Sequence, residues 1–455
     1  MAAGVCACGW SRLRADMAIG PQSRDTLAIM KLSILYPARD PLMVKTRIFI
    51  AAACGLCSAL LPAADISLSG FGTLGYAQSD NALVYQRFVD NGGTFKRDSR
   101  LGLQVDASLN EMFSATVQGK LAPSLHNDSD WAGTFTWAFA SFRPTDDWLI
   151  RGGKLRVPIY LHSSNLDVGV TYDFAQLPLE MYSLFPTIDV AGGSVSKSWA
   201  LGASDITLDA FWGRNETDLR AYLRPLSEPK FIGVRAELRG LALNLQQDEN
   251  LFHAAIIEMF LRKTPGDDSG FDKDYPYVDP PGYYQVDDAI PGPGVPKEET
   301  LHNIAYTIGG DFGIGNGYRV MAEYARRDVR DAVKGMDSWG AYASLRKSFG
   351  KWTPYVVYSR LLSEPGPRHL YNGLVTNTFA PMVVYQNMAA DYLLVYDQYT
   401  VALGTSYKLT PTQKLKLEWA QTHVGATSAM VDKPWGTDFS RQKLNVFSAS
   451  YNFVF

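Results

Sequence analysis

The sequence predicts an all-β fold: a transmembrane, up-and-down, antiparallel β-barrel of about sixteen strands. Three observations carry this expectation. The chain ends on Phe447-Ser448-Ala449-Ser450-Tyr451-Asn452-Phe453-Val454-Phe455, where alternation puts Phe447, Tyr451, Phe453 and Phe455 on one face of a strand and Ser448, Ser450 and Asn452 on the other. Segments with the same two-residue period recur from residue 65 onward. The connectors between them alternate short and long, as in barrels inserted from one side of a membrane, whereas a soluble β-sandwich has no reason to sort its loops by length.

The N-terminal region reads as export machinery. Met43 is followed by Lys45 and Arg47, an apolar run from Ile48 to Leu61 and the small residues Pro62-Ala63-Ala64, which match a cleaved secretory signal over 43–64. The run is too short to span a bilayer, which takes ~20 residues. A lipoprotein cut at Cys54 would leave almost no apolar core before it. Residues 1–42 precede the signal without periodicity, so they are expected to be a non-native extension from a start assigned too early. Cys6, Cys8, Cys54 and Cys57 all fall before residue 65, which leaves the barrel region, 65–455, without disulfides or thiolate metal sites.

No other stretch approaches a transmembrane helix, and the mean hydropathy is −0.10. Alternation dilutes an apolar signal in this way, and a closed barrel satisfies its backbone internally. The first 64 residues hold seven Lys or Arg and three Asp, so 36 basic and 43 acidic residues remain, a formal charge of −7. That balance offers no footprint for nucleic acid.

Parity places strands at about 65–76, 98–109, 113–122, 132–143, 147–157, 190–201, 204–215 and 229–239. They continue at about 241–250, 301–312, 317–328, 337–348, 351–362, 397–409, 412–424 and 442–455. Short connectors rich in turn formers fall at 110–111, 145–146, 203, Gly240, 313–316, Gly350 and 410–411. Long ones fall at 77–97, 123–131, 158–189, 216–228, 251–300, 329–336, 363–396 and 425–441, with 251–263 able to extend the ninth strand or form a short helix.

With these residues in place, the chain resembles the sixteen-stranded Gram-negative general porin family over its whole barrel region. The opening Asp65-Ile66-Ser67-Leu68-Ser69-Gly70-Phe71-Gly72, the run Arg151-Gly152-Gly153-Lys154-Leu155-Arg156-Val157-Pro158 and the closing aromatic pattern carry the likeness. The resemblance implies a third loop folded into the lumen, a homotrimer, and an assembly signal at Tyr451, Phe453 and Phe455 read by the outer-membrane assembly machinery. It also implies outer-membrane lipid and lipopolysaccharide as surroundings.

Parity then assigns charges to the lumen. Arg100, Gln104 and Asp106 turn inward opposite Leu101, Leu103 and Val105, while Ile232, Val234, Ala236 and Leu238 are expected outward with Arg235, Glu237 and Arg239 inward. Arg319, Glu323, Arg327, Lys414, Lys416 and Glu418 are also expected inward. A slip of one residue at Gly152-Gly153 would let Arg151, Lys154 and Arg156 all face the pore. Charges placed against lipid near the midplane would cost ~2–4 kcal/mol each.

The third loop carries Asp167, Asp173, Glu180 and Asp189 and neither Lys nor Arg from Val157 to Asp189. If it lies inside, its carboxylates oppose the basic wall across a narrow water path and set up a transverse field that favours small polar solutes. They could also simply solvate an outer loop. The expected function is passive diffusion of small hydrophilic solutes and ions, with no cofactor, no metal and no catalytic group. A solute-specific sugar or anion channel is the alternative, since Tyr172, Phe174, Tyr182 and Phe185 could line a path or pack the loop. An outer-membrane enzyme is a weaker alternative, because no compact nucleophile or carboxylate–histidine set is visible.

The acidic run Asp267, Asp268, Asp272, Asp274 and Asp279 lacks the glycine and ligand spacing of a calcium loop. The six histidines show no pair at metal-ligand spacing.

Overall fold

A computed structural model describes residues 65–455 apart from 268, 331 and 333–335. The expected N-terminal extension, the signal segment and all four cysteines lie outside the described residues.

Sixteen antiparallel strands close into a barrel in which each strand pairs with its neighbours in sequence and the first pairs with the last. They are β1 (Asp65–Ser79), β2 (Arg100–Ser108), β3 (Phe113–Pro123), β4 (Trp131–Thr145), β5 (Trp148–Arg156), β6 (Asp189–Leu201), β7 (Ser204–Leu223) and β8 (Glu228–Gln247). The second half comprises β9 (Asn250–Lys263), β10 (Leu301–Gly315), β11 (Tyr318–Arg330), β12 (Ser338–Lys347), β13 (Trp352–Ser363), β14 (Tyr396–Thr410), β15 (Gln413–Ser428) and β16 (Lys443–Val454). Short turns gather at one end and the longer loops at the other. The exception to the expected loop lengths is the connector between β7 and β8, which shrinks to 224–227 because both strands run far past their predicted ends.

The predicted turn at Gly240 is wrong. Gly240 sits inside β8, and a Cβ there would stand 2.5 Å from the Ile256 carbonyl oxygen and 2.6 Å from the Phe211 ring, so this glycine serves close packing rather than chain reversal. The reversal falls at 248–249, where Asp248 takes φ 51°. Predicted strands eight and nine therefore fuse into β8, and 251–263 supplies β9; the count stays at sixteen because one error offsets the other.

Closure runs through β1 and β16. The Gly70 amide donates to the Phe455 carbonyl at 2.9 Å and the Phe455 amide returns the bond to Gly70 at 3.0 Å. The rings of Phe453 and Phe455 lie over Gly72 and Gly70, whose missing side chains make room for them. On β16, Ser448, Ser450 and Asn452 are buried toward the interior while Phe447 and Phe455 remain exposed. The same division runs round the barrel: Leu68 is 67 % exposed, Leu103 51 %, Trp212 53 % and Leu417 57 %, so the outer surface presents a belt of apolar side chains to its surroundings.

On β8 the expected parity is inverted. Val234, Ala236 and Leu238 face inward and are buried, in one cluster with Val157, Ile159 and Leu184 of the third loop. Arg235, Glu237 and Arg239 point outward, beyond the apolar Leu241 and Leu243. Arg235 pairs with Glu216 at 2.9 Å and Arg239 with Glu258 at 2.5 Å. The inner wall here faces the apolar side of an inserted loop instead of water, so its own side chains are apolar.

The expected slip at Gly152-Gly153 is also absent. The β5–β6 ladder is continuous from Trp148↔Lys197 to Arg156↔Asp189, which puts Lys154 in the outward row of Ala138 and Ala191. The irregularity lies in β4 instead, opposite Gln118 and Gly119.

The outer end carries its own small core. Helices α1 (Pro365–Thr376) and α2 (Val383–Tyr392) pack Leu370, Leu374, Ala389 and Ala390 against Tyr275 and Val295 of the long 264–300 loop. Arg220 near the tip of the β7–β8 hairpin reaches Asp432 at 2.5 Å and Asp128 at 2.7 Å. Loops from distant sectors are thereby tied together over that end.

The seam is testable. Gly72→Ala drives a methyl group to 2.4 Å from the Phe453 ring and is expected to destabilise the closed barrel by about 1–3 kcal/mol. Gly119→Ala, where nothing lies within 4 Å, serves as the comparison; the midpoint of the heat-modifiable shift on detergent gels should fall for the first variant and not for the second.

Candidate pore constriction

The third loop, 157–188, leaves β5 and returns to β6 through a bond from the Val157 amide to the Ile188 carbonyl at 2.9 Å. Such a span would collapse without a core of its own. It builds one from Tyr160, Tyr172, Phe174, Met181, Leu184 and Phe185, all buried, with the Tyr160 and Tyr182 rings 4.8 Å apart. A single helical turn, Leu179–Tyr182, starts directly after Pro178; that placement is favoured because the missing amide hydrogen of proline costs a helix start nothing.

The loop meets the inner wall in most sectors. Asp167 accepts from Lys120 of β3 at 2.9 Å, Arg156 of β5 at 3.0 Å and Arg100 of β2 at 3.2 Å. Gly169 passes against Asn452 of β16 and Thr73 of β1. Asp173 takes Lys414 of β15 at 3.0 Å and Ser406 of β14 at 2.8 Å, with Arg346 of β12 at 3.6 Å. Lys416 donates to the Phe174 carbonyl at 2.7 Å and lies over the Tyr172 ring.

Farther round, Glu180 is buried among neutral donors, accepting from Thr400 at 2.5 Å, Gln398 at 2.8 Å and Ser359 at 2.9 Å. Glu323 of β11 reverses the arrangement and accepts from the loop: Tyr182 at 2.5 Å and the Leu161 amide at 3.0 Å. His253 and Thr307 both bond the Ile159 carbonyl. Asp189, the first residue of β6, receives Arg156 at 2.6 Å.

This geometry corrects the expected electrostatics. Asp167 and Asp173 do not face the basic wall across water; they touch it. Burial pushes the Asp167 carboxyl up, but Arg156, Lys120 and Arg100 outweigh it and hold the group far below the usual aspartate range. Burial likewise opposes ionisation of Asp173, and Lys414 with the Ser406 hydroxyl overcomes it, so this carboxyl too is depressed. Burial lowers His162 on the same loop to about 4, leaving it neutral at neutral pH.

Of the basic residues expected in the lumen, Arg100, Arg156, Lys414 and Lys416 converge on the loop. Arg319 sits near the short-turn rim, bonded to Asp311 and Glu249 at 3.1 Å each. Arg151 faces inward but touches no loop acid, and Arg235, Arg239 and Lys154 lie outside. Lys120 and Arg346 were missed, although parity with Leu121 and Leu345 marks both as inward.

No family model matches the sequence, and no curated protein does. Solved structures similar to the chain include a loop L8 deletion mutant of OmpT, an outer membrane protein of Vibrio cholerae, at 12 % identity and TM-score 0.47, covering 86 % of this chain and 100 % of that one. The outer membrane channel DcaP of Acinetobacter baumannii gives 11 % and 0.46, covering 87 % and 98 %. An anion-selective porin from Comamonas acidovorans gives 11 % and 0.46, covering 86 % and 100 %. The likeness is one of barrel shape and says nothing of solute or assembly.

Because both carboxyls are depressed, the stability they lend the docked loop is complete above the ordinary aspartate pKa of ~3.9 and drains away as pH falls below it. Limited proteolysis within 157–188 should rise reversibly below about pH 4. Removing one partner of a buried pair costs about 3–5 kcal/mol, so Asp167→Asn should bring the same cleavage at neutral pH; an unchanged digestion pattern would show that these contacts do not hold the loop.

Proposed function

We propose that this barrel spans a Gram-negative outer membrane and passes small hydrophilic solutes and ions by passive diffusion, the third loop setting the width and charge of the passage. One observation supports the proposal above others: a closed cylinder whose outer surface is apolar while its interior holds a charged, hydrogen-bonded loop. An apolar exterior belongs against hydrocarbon and a polar interior against water. Asp167, Asp173, Glu180 and Asp189, with Arg100, Lys120, Arg156, Arg346, Lys414 and Lys416, are the residues assigned to the constriction. The chain is read as a channel and not as an enzyme.

The surroundings follow from the same reading. Tyr451, Phe453 and Phe455 act as the tag for outer-membrane assembly, residues 43–64 as the export signal, and three copies associate. The ion pairs of Arg235 with Glu216 and Arg239 with Glu258, outside and beyond the apolar belt, suit the polar headgroup layer of lipopolysaccharide. A solute-selective channel is a second reading, favoured by the loop's contact with the wall in so many sectors, which leaves less free width than a flap on one side would.

Planar-bilayer recordings in a salt gradient test the proposal. The wild-type chain should give stable ohmic steps, and Asp167→Asn, which strips the carboxylate from Arg100, Lys120 and Arg156, should move the reversal potential toward chloride. Absence of any conductance from correctly folded barrels would overturn the channel; conductance with an unmoved reversal potential would take Asp167 out of the constriction.

A further inference from the structure

Below the docked loop, at the short-turn end of the lumen, β2 to β5 enclose a recess of about 350 Å³ that reaches the Asn110–Phe113 turn. Its inner rows bring together Gln104, Thr116, Trp137, Phe139, Ser141 and Arg151. Asp106 beside these rows accepts from Thr116 at 2.6 Å and from Gln104 at 2.7 Å, while Glu111 and Arg143 line the recess at its turn end, Arg143 donating to the Asp146 carbonyl at 3.4 Å.

Arg151 stands apart from the other inward arginines. Arg100, Arg156, Arg319 and Arg346 each meet a carboxylate, and Arg327 donates to backbone carbonyls. Among the described residues Arg151 makes neither an ion pair nor a hydrogen bond; its guanidinium lies 5.4 Å from the centroid of the Phe139 ring, and its Nε finds no partner. The neighbouring Trp137 Nε1 is likewise unpartnered, with its ring 6.2 Å from Phe139. Unsatisfied buried donors cost free energy; these two nitrogens are closed off from solvent, so the donors open to a solute in the recess are the Nη groups of Arg151.

A guanidinium held over an aromatic face keeps its edge free for a planar, bidentate acceptor. The two adjacent rings, tilted 52° to each other, offer an angled apolar wall beside it, and the volume falls in the range of small-molecule sites. We infer that this recess is a binding subsite for aromatic carboxylates, with Arg151 engaging the carboxylate and Phe139 and Trp137 packing against the ring. The assignment deepens the channel reading and rests on it, since solutes reach the recess only if the lumen admits them. It differs from the constriction, where every cation already has a partner from the protein.

Equilibrium dialysis of the full-length, detergent-solubilised barrel against benzoate and acetate tests the subsite without requiring conduction. Benzoate should bind at least tenfold more tightly than acetate. Arg151→Gln should weaken benzoate at least tenfold, Arg151→Lys should restore part of the loss, and Phe139→Leu should narrow the preference for benzoate over acetate. Equal binding of the two anions, or benzoate binding untouched by Arg151→Gln, overturns the inference, as does binding lost in Lys120→Gln and kept in Arg151→Gln, which would move the anion to the constriction. Should Arg151→Gln fail to fold, Trp137→Phe, which replaces the indole by a smaller ring and so shrinks the packing surface, is expected to weaken benzoate, and no change there overturns the subsite. Potassium chloride conductance of the same preparation separates the cases: conducting barrels that ignore benzoate sink the subsite alone, and barrels that do not conduct sink the channel.

Discussion

Everything in this structure depends on the seam where β1 meets β16. A sheet with free edges leaves a row of backbone donors and acceptors unpaired, which is tolerable in water and prohibitive in hydrocarbon. Closing the sheet removes both edges at once. The two bonds between Gly70 and Phe455 complete that ring, and the bare backbone of Gly70 and Gly72 lets the terminal aromatic rings lie flat on the outer surface. Once the cylinder is closed, every residue has one of two destinations, and period-two alternation becomes a statement about inside and outside.

The third loop then decides what the inside is made of. A 32-residue excursion ordered within a barrel must satisfy its own polar groups and bury its own apolar ones, and it does both against the wall. Asp167 gathers three cations, Asp173 gathers two and a hydroxyl, and Glu180 and Glu323 bind neutral donors from opposite directions. The apolar face of the loop, led by Ile159, Tyr160, Leu184 and Phe185, requires apolar wall in return, and Val234, Ala236, Leu238, Ile257 and Met259 supply it. The lumen is therefore polar where it meets water or the charged face of the loop and apolar where it meets the rest.

That division gives the two halves of the interior different characters. At the loop, cations and carboxylates are already matched, so the local field is short-ranged. Toward the short turns the loop is gone, and Arg151 faces a recess with its guanidinium uncommitted. The long-loop side of the interior thus holds a closed set of charges and the short-turn side an open one.

How much of this was legible in the sequence can be followed residue by residue. Alternation in β2, β11, β15 and β16 placed Arg100, Glu323, Lys414, Lys416 and Asn452 on the inner face, because those strands alternate apolar with polar as the outer belt demands. It failed on β8, where both faces have a reason to look otherwise: the inner one is covered by the loop, and the outer one, above the belt, carries ion pairs. Glycine chemistry failed at Gly240 for a related reason, since a glycine that admits the Phe211 ring is indistinguishable in one dimension from one that turns the chain. The sequence by itself determined the alternating wall of the cylinder and the acidity of the third loop, both of which are local in the chain, while the count of sixteen came out through two offsetting errors around Gly240. Only the tertiary structure decided which wall residues the acids touch, that Lys120 and Arg346 join them, and that Arg151 is left over, because those pairings join residues that lie far apart along the chain and meet only when the cylinder has closed around the loop.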